Sequence, residues 1–168
     1  EGSVINIAVI DDTLANRWVL MRVLQEAGYV VAEGETAADA VRLANERPDL
    51  IVLDVRLPDG NGFEIARRLK ADAHTADIPV LLISASFTSP NERAQGLDAG
   101  ADGYLTHPVE PPVLLATIRA LLRSRAAERA LRESEARFRS MADSAPVMIW
   151  LGDAHGNAEW FSQSWLEF

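Results

Sequence analysis

The sequence contains no cysteine, which excludes disulfide bonds and thiolate sites. It also lacks any apolar run of the ~18 residues needed to span a bilayer, and no signal peptide is visible. Basic residues are in deficit: 16 Lys and Arg against 25 Asp and Glu give a formal net charge of −9. That balance argues against a nucleic-acid-binding surface. We therefore expect a cytoplasmic chain with no membrane contact and no nucleic-acid partner.

Short apolar runs alternate with amphipathic stretches between Val4 and Arg123. The strand candidates are Val4–Ile10, Tyr29–Gly34, Leu50–Asp54, Pro79–Ser84 and Gly103–Thr106. The helix candidates are Leu14–Ala27, Thr36–Glu46, Gly62–Ala71, Pro90–Ala99 and one beginning near Glu110. Five alternating βα units with strands apolar on both faces predict an α/β fold, a doubly wound five-stranded parallel sheet.

Several residues mark where these helices begin and end. Thr13 can cap the first helix, and Ser89 followed by Pro90 fits a cap with proline at the first helical position. Gly28 and Gly100 stand where two helices should stop.

Three aspartates follow or end apolar runs: Asp11 and Asp12 after the first strand, and Asp54 at the end of the third. In an open parallel sheet, ligands bind beyond the carboxyl ends of the strands. Two such ends side by side would bring three carboxylates together, and their repulsion requires a cation or protons. Oxygen ligands of this kind suit Mg²⁺. Helix capping or turn formation is the alternative for any single aspartate.

Asp54 can be both a metal ligand and a nucleophile, since carboxylates form covalent intermediates in phosphoryl transfer. Two further strand ends carry side chains that can contact a phosphoryl group on Asp54. Ser84 can donate a hydroxyl hydrogen bond, although a local turn contact is the common alternative for such a serine. His107 can act as a donor when neutral or as a cation when protonated, unless it is an ordinary loop histidine. Pro108 permits a cis peptide bond after His107.

A long helix is predicted beyond the sheet domain, because no glycine or proline falls between Val113 and Ala145. Its apolar positions recur along one side: Leu114, Ile118, Leu121, Leu131, Phe138 and Met141. The stripe is interrupted by Arg125 and Glu128, so a solvated connector helix is one interpretation. A parallel two-helix coil that joins two copies of the chain into a homodimer is the other.

The last segment, from Ala145, has the pattern of two strands around a turn. The strands are Val147–Leu151 and Ala158–Ser162, and the aromatic residues are Trp150, Trp160, Phe161, Trp165 and Phe168. So short a piece cannot bury all these rings. We expect it to pack against a second copy or to be poorly ordered.

The segment from Val4 to about Arg123 resembles the receiver (phosphoacceptor) domain of two-component response regulators, which has a flavodoxin-like fold. The matching features are Asp11-Asp12, Asp54 with Leu57-Pro58-Asp59-Gly60 after it, Ser84-Ala85, and Gly100-Ala101-Asp102-Gly103-Tyr104 ahead of His107-Pro108. The resemblance implies that Asp54 accepts a phosphoryl group from a histidine kinase or histidine phosphotransferase. It implies a metal shell of Asp11, Asp12, Asp54 and the backbone carbonyl of Arg56. Ser84 and Tyr104 would form the pair that switches.

His107 departs from the family, whose receivers usually have lysine at this position. Phosphorylation of Asp54 with Mg²⁺ should survive, whereas coupling of phosphorylation to a surface change depends on this residue. Two hypotheses stay open: a switching signal-input module and a non-switching dimerisation scaffold. An enzyme-class alternative is a Mg²⁺-dependent hydrolase or a flavin-binding protein, but the first strand is followed by Asp11-Asp12-Thr13-Leu14 rather than a glycine-rich phosphate loop.

The segment from about Glu135 to Phe168 resembles the beginning of a PAS sensor domain, through Arg137-Phe138-Arg139, Ala145-Pro146, Asp153 and Gly156. The predicted domains are a receiver at 4–123, a signalling helix at 124–144 continuous with the last receiver helix, and an α+β PAS fragment at 145–168. This order is similar to the front of hybrid sensor kinases and cyclic-dinucleotide enzymes. The fragment itself is not a conventional enzyme, although a full-length protein could be a histidine kinase.

Overall fold

The computed structural model describes residues 4–85, 90–144, 149–155 and 157–162. The chain divides into two compact units, Glu1–Arg125 and Ala126–Phe168. The division falls inside one helix.

The first unit contains a parallel five-stranded sheet. Along the chain its strands and helices are β1 (Asn6–Ile10), α1 (Leu14–Glu26), β2 (Val30–Gly34), α2 (Ala37–Asn45), β3 (Leu50–Asp54), the short strands β4 (Arg56–Leu57) and β5 (Gly60–Asn61), α3 (Gly62–Ala71), β6 (Val80–Ser84), α4 (Pro90–Asp98), β7 (Gly103–Thr106) and α5 (Pro111–Ser144). The strand order is β2-β1-β3-β6-β7. This confirms the predicted doubly wound α/β fold.

Alternate residues of the central strand β3 enter two separate apolar cores. Ile51 and Leu53 belong to one core with residues of α2 and α3. Leu50 and Val52 belong to the other, with α1 and the first turns of α5. Successive side chains of a strand point to opposite faces, so a strand that is apolar at every position requires helices on both sides.

The start and stop signals were only partly correct. Gly28 and Gly100 have φ of +91° and +89°, which confirms them as helix ends. Thr13 precedes α1, but its side chain makes no capping hydrogen bond to the helix. Its hydroxyl instead donates to a carboxylate oxygen of Asp12 at 3.4 Å, so that prediction was wrong. Ser89 lies outside the described residues.

Helix α5 runs for 34 residues from Pro111 to Ser144, which confirms the predicted long helix. Leu114 and Ile118 are buried in the second core. Near the end of the first unit, Arg125 donates to the backbone carbonyls of Asp49 at 2.6 Å and Pro48 at 3.3 Å. The Arg125 side chain therefore attaches this part of α5 to the chain just before β3. None of the described helices is long and apolar enough to cross a membrane.

The second unit contains an antiparallel strand pair, β8 (Trp150–Gly152) and β9 (Ala158–Phe161). The first strand reaches one residue beyond the predicted Val147–Leu151. The rings of Trp160 and Phe138 lie 6.4 Å apart. Trp150 and Phe161 are 53% and 43% exposed. The predicted residues 145–148, Gly156, Trp165 and Phe168 lie outside the described part of the chain.

Candidate functional site

The sheet brings three predicted ligands together at the carboxyl ends of β1 and β3. Carboxylate oxygens of Asp11, Asp12 and Asp54 all lie within 4.8 Å of one another. Strands β1 and β3 are hydrogen-bonded neighbours, with Ile10 paired to Leu53. The residues that follow the two strands therefore share one edge. The expectation that the sheet brings the three carboxylates together is confirmed.

Asp11 is the buried member of the cluster, at 1% exposure. Its Oδ1 accepts a hydrogen bond from the backbone N–H of Thr13 at 2.8 Å. Its Oδ2 is buried and accepts no hydrogen bond from any described residue. A buried carboxylate oxygen without a partner is costly, and a bound cation would remove that cost.

Partial burial and the neighbouring carboxylates change the pKa of Asp54. Partial burial of its carboxyl, together with the negative charge of Asp11, raises the pKa of Asp54 from 3.8 to about 6. The backbone N–H of Arg56 donates to its Oδ1 at 3.4 Å and acts in the opposite direction. Asp54 is ionised at neutral pH, but at a cost that a nearby cation would reduce.

These residues fit a hard divalent cation. The donor set consists of carboxylate oxygens, which Mg²⁺ prefers, and one of them, Oδ2 of Asp11, is buried and accepts no hydrogen bond from a described residue. The predicted fourth ligand, the backbone carbonyl of Arg56, follows Asp54 by two residues in β4. Its role as a ligand stays a prediction.

Ser84 and His107 stand at the ends of the next two strands. The backbone N–H of His107 donates to the carbonyl of Ser84 at 2.7 Å, which holds these strand ends together. The Ser84 hydroxyl donates to the carbonyl of Ala85 at 3.4 Å, the local contact that was the alternative for this serine. His107 Nε2 lies 3.6 Å from Asp11 Oδ2. The bond between His107 and Pro108 is cis.

Tyr104 is buried at 6% exposure. Its hydroxyl finds no hydrogen-bond partner among the described residues. A Cβ atom added to Gly96 of α4 would lie 3.0 Å from the Tyr104 ring and 3.0 Å from Phe63. Gly96 therefore leaves the space that the buried tyrosine ring uses.

Sequence reasoning missed three residues that support the site. Arg17 on α1 is buried and donates to the backbone carbonyl of Asp11 at 2.7 Å. Gly62 packs so closely that an added Cβ would lie 2.4 Å from the carbonyl oxygen of Asp54. Asp59 accepts from the backbone N–H groups of Ala37 at 2.6 Å and Ala38 at 3.1 Å.

The roles of Arg17 and Gly62 had no sequence signal. A long-range hydrogen bond, as from Arg17, and a close backbone approach, as at Gly62, leave no local pattern. Asp59 stood inside the quoted Leu57-Pro58-Asp59-Gly60 motif, yet its contact with α2 was not foreseen. The hydrogen bond from Ala37 keeps the pKa of Asp59 below its usual value. Asp59 thus links the segment after Asp54 to the start of α2.

Lys70 is the single lysine of the sequence. Its ammonium lies 2.7 Å from Asp102 and donates to the carbonyls of Ala76 and Ile78. The one lysine of the sequence is therefore engaged elsewhere and does not supply an ammonium group at the place of the His107 side chain.

The chain is similar to several response regulators. It is 41% identical over 118 residues to the phosphate regulon transcriptional regulatory protein PhoB of Pseudomonas aeruginosa, covering 70% of this chain and 51% of that protein. It is 44% identical over 120 residues to the response regulator MprA of a Mycobacterium species, covering 71% of this chain and 51% of MprA. The chain spans about half the length of these curated relatives.

Solved structures agree with this likeness. The signal receiver domain of a histidine kinase from Syntrophus aciditrophicus is 31% identical with a TM-score of 0.66, covering 71% of this chain and 90% of that one. The receiver domain of a sensor histidine kinase from Pseudomonas aeruginosa, with a magnesium ion coordinated in its active-site cleft, is 28% identical with a TM-score of 0.64. That match covers 74% of this chain and 99% of the other.

The family model for the response regulator receiver domain matches residues 7–119. This range contains the parallel strands β2, β3, β6 and β7 in full, all of β1 except Asn6, and the three clustered aspartates. The chain therefore belongs to the response regulator receiver domain family.

Proposed function

We propose that this chain is a signal-input module in which Asp54 accepts a phosphoryl group from a histidine kinase or histidine phosphotransferase. The observation that carries the proposal is the convergence of Asp11, Asp12 and Asp54 oxygens within 4.8 Å at one sheet edge. Asp11 is buried, whereas Asp54 is partly exposed and reachable by a donor.

A carboxylate oxygen of Asp54 attacks the phosphorus of the donor phosphohistidine. The new O–P bond forms as the N–P bond breaks, and the leaving imidazole keeps the electron pair and takes up a proton. Asp54 must be ionised to attack, a condition met above its pKa of about 6. When bound, Mg²⁺ would be held by Asp11, Asp12, Asp54 and the Arg56 carbonyl, and would neutralise the equatorial phosphoryl oxygens.

Ser84 and Tyr104 form the proposed switch. Ser84 would exchange its present contact with the Ala85 carbonyl, which is long at 3.4 Å, for a phosphoryl oxygen. Tyr104 would respond at the neighbouring strand, since β6 and β7 are paired with Leu82 opposite Tyr104. A local charge change would thereby bias a two-state element.

The proposed output passes along α5 to the PAS-like region and to whatever follows it in a hybrid sensor kinase or a similar multidomain regulator. The continuity of α5 from Pro111 to Ser144 supports this route. Arg125 supports it too, because its contacts with the Pro48 and Asp49 carbonyls give the helix a defined attachment to the receiver.

Labelling tests the phosphoacceptor directly. The full chain is incubated with a small acyl-phosphate donor in Mg²⁺, beside Asp54→Asn and the exposed control Asp98→Asn. We expect label on the wild type and on Asp98→Asn, no label on Asp54→Asn, and loss of label when the metal is chelated. Equal incorporation by wild type and Asp54→Asn would refute the assignment.

We also propose that two copies pair through α5. Leu131, Phe138 and Met141 are 61%, 47% and 66% exposed and follow a heptad-like spacing of seven and three. Sedimentation of Leu131→Glu and Met141→Glu should show a monomer under conditions in which wild type is a dimer. A substitution at an exposed polar position, Arg132→Glu, is the control, and a monomeric wild type would end this part of the proposal.

The non-switching scaffold is a second candidate, and His107 favours it. Its Nε2 already lies 3.6 Å from Asp11 Oδ2, and its short side chain has less reach than a lysine. The test compares wild type with His107→Lys. If phosphorylation changes neither the shape nor the dimerisation of either chain, the scaffold hypothesis is correct. A phosphorylation-dependent change in the wild type would exclude it.

A further inference from the structure

His107 adds a nitrogen atom to a cluster of carboxylates. Its backbone is held by the 2.7 Å hydrogen bond to the Ser84 carbonyl, and its side chain is 19% exposed. Nε2 is a buried atom that lies 3.6 Å from Asp11 Oδ2. One face of the cleft therefore offers an imidazole where the other faces offer oxygen.

Asp11 supplies the second, independent indication of a cation. Its side chain is almost fully buried, and its Oδ2 accepts no hydrogen bond from any described residue. The other oxygen, Oδ1, is already occupied by the Thr13 N–H at 2.8 Å. This oxygen lies 3.6 Å from His107 Nε2, so one ion could bind both atoms.

The separation of these two atoms suits a shared metal. Transition-metal ions bind His nitrogen and carboxylate oxygen at roughly 2.0–2.2 Å, so two ligands of one ion lie at most about 4.2 Å apart. The observed 3.6 Å is inside that limit. A lysine ammonium at this position has no lone pair and could not bind a metal.

We propose that this cleft binds a first-row transition-metal dication of the Ni²⁺ or Zn²⁺ type, with His107 Nε2 as a ligand beside the carboxylates of Asp11, Asp12 and Asp54. The inference deepens the proposed function, because it concerns the same cleft. Mg²⁺ gains nothing from an imidazole, whereas Ni²⁺ and Zn²⁺ bind it well and exceed lighter ions in affinity for mixed N/O sites.

Such a metal would regulate the site. An ion that engages both His107 and Asp54 uses the carboxylate that is the proposed phosphoacceptor, and it keeps the imidazole away from an incoming phosphoryl group. Transition-metal binding should therefore compete with Mg²⁺ and lower phosphorylation of Asp54.

Calorimetric titration of the full chain with Ni²⁺ and, separately, with Mg²⁺ tests the ligand assignment. The variants are His107→Gln and His107→Lys, with His74→Gln and His155→Gln as controls for adventitious binding at the other two histidines. We expect both His107 variants to lose more than the ~10–100-fold in Ni²⁺ affinity that removal of an outer-shell partner costs. Mg²⁺ affinity of His107→Gln and Ni²⁺ affinity of both controls should stay unchanged.

Substitution with Co²⁺ provides a signature that activity cannot. An imidazole bound to Co²⁺ gives a strongly shifted ring N–H proton resonance, which should be present in wild type and absent from His107→Gln. If Ni²⁺ affinity is the same with and without His107, or falls in a control variant instead, the proposal is wrong.

The two proposals can fail separately. Normal labelling of Asp54 together with His107-independent Ni²⁺ binding would refute only the transition-metal site. Absence of labelling together with His107-dependent Ni²⁺ binding would refute only the phosphoacceptor function. His107→Lys guards against a folding defect, since lysine is the residue usual in the family; thermal melts of the metal-free variants complete that check.

Discussion

Nη1 of Arg17 donates a 2.7 Å hydrogen bond to the backbone carbonyl of Asp11. The same guanidinium contacts Glu33 through Nε at 3.0 Å and Glu35 through Nη2 at 2.6 Å. Arg17 is 4% exposed, while both glutamates are more than half exposed. A single buried side chain of α1 therefore ties the segment after β1, which carries the acidic pair, to the end of β2.

Arg17→Met should destabilise the first unit. The substitution leaves the Asp11 carbonyl without its partner and removes a charge-assisted hydrogen bond, which together cost about 1–3 kcal/mol. The exposed glutamates can turn to solvent, so the loss of their ion pairs with Arg17 adds little to this cost. Urea unfolding measures the change in free energy, and Mg²⁺ titration should show weaker binding because Asp11 is less well positioned.

Arg22→Met provides the matched control on the same helix. Its ion pair with Glu26 is exposed on both sides, and such i,i+4 pairs contribute only about 0.3–0.5 kcal/mol. If both substitutions lower stability equally, the burial of Arg17 is not what matters. If Arg17→Met lowers stability but leaves Mg²⁺ affinity intact, Arg17 is structural and does not position Asp11.

The pH dependence of stability should reveal the charge on Asp54. Its pKa is raised from 3.8 to about 6 in the folded chain, so the folded state holds the proton more tightly than the unfolded state. Ionised Asp54 therefore destabilises the fold, an effect that is absent below about pH 4, grows between pH 4 and 6, and is complete above pH 6.

Asp54→Asn should consequently melt at a higher temperature than wild type at pH 7.5 without metal, and at the same temperature near pH 3.5. Thermal melts followed by circular dichroism across this range measure the difference. Saturating Mg²⁺ should raise the melting temperature of wild type and narrow the gap. A gap of constant size from pH 3.5 to 7.5 would show that the Asp54 charge is not its cause.

The sequence predicted the parallel sheet and the acidic cluster because both follow from local patterns. Apolar runs mark buried strands, and the three aspartates stand at the ends of runs that a parallel sheet brings to one edge. The clustering of Asp11, Asp12 and Asp54 could therefore be predicted without any knowledge of side-chain packing.

The supporting residues could not be predicted in this way. Arg17 reads as one of several polar residues on α1, and only the tertiary fold shows that its guanidinium reaches the Asp11 carbonyl. Thr13 shows the converse error: a good capping residue at the right position donates to Asp12 instead. Competing side-chain partners near a charged cluster decide such cases, and a local propensity does not include them.

Gly62→Ala should disturb the end of β3, where Asp54 lies. An added Cβ would lie 2.4 Å from the Asp54 carbonyl oxygen and 2.8 Å from the Val55 Cα. Both are backbone atoms, so neither can rotate away, and the segment carrying Asp54 must shift. We expect the free energy of unfolding to fall by roughly 1–3 kcal/mol, as is typical of overpacking. Phosphoryl labelling of Asp54 should also become slower.

Gly28→Ala is a useful comparison, since Gly28 has positive φ but nothing within 4 Å of an added Cβ. It should cost stability through backbone strain alone and leave the labelling rate unchanged. Labelling that slows equally in the two variants would mean that the close packing of Gly62 against Asp54 has no specific role.

Gly96→Ala tests whether the buried position of Tyr104 depends on a missing side chain. Replacing an ordinary helical glycine with alanine gains about 0.5–1 kcal/mol. Here the new methyl would lie 3.0 Å from the rings of Tyr104 and Phe63, so we expect a loss of stability and an outward displacement of the Tyr104 ring. Fluorotyrosine NMR in a Tyr29→Phe background leaves Tyr104 as the one reporter, because the sequence has two tyrosines.

A double-mutant cycle separates the steric effect from helix propensity. In a Tyr104→Leu background the methyl meets a smaller side chain, so Gly96→Ala should become less destabilising, and the difference between backgrounds measures the coupling. Additive effects would show that Gly96 and Tyr104 do not constrain each other. Coupling would instead identify Gly96 as the residue that keeps room for the inward ring, which makes the position of Tyr104 a property of α4 as much as of β7.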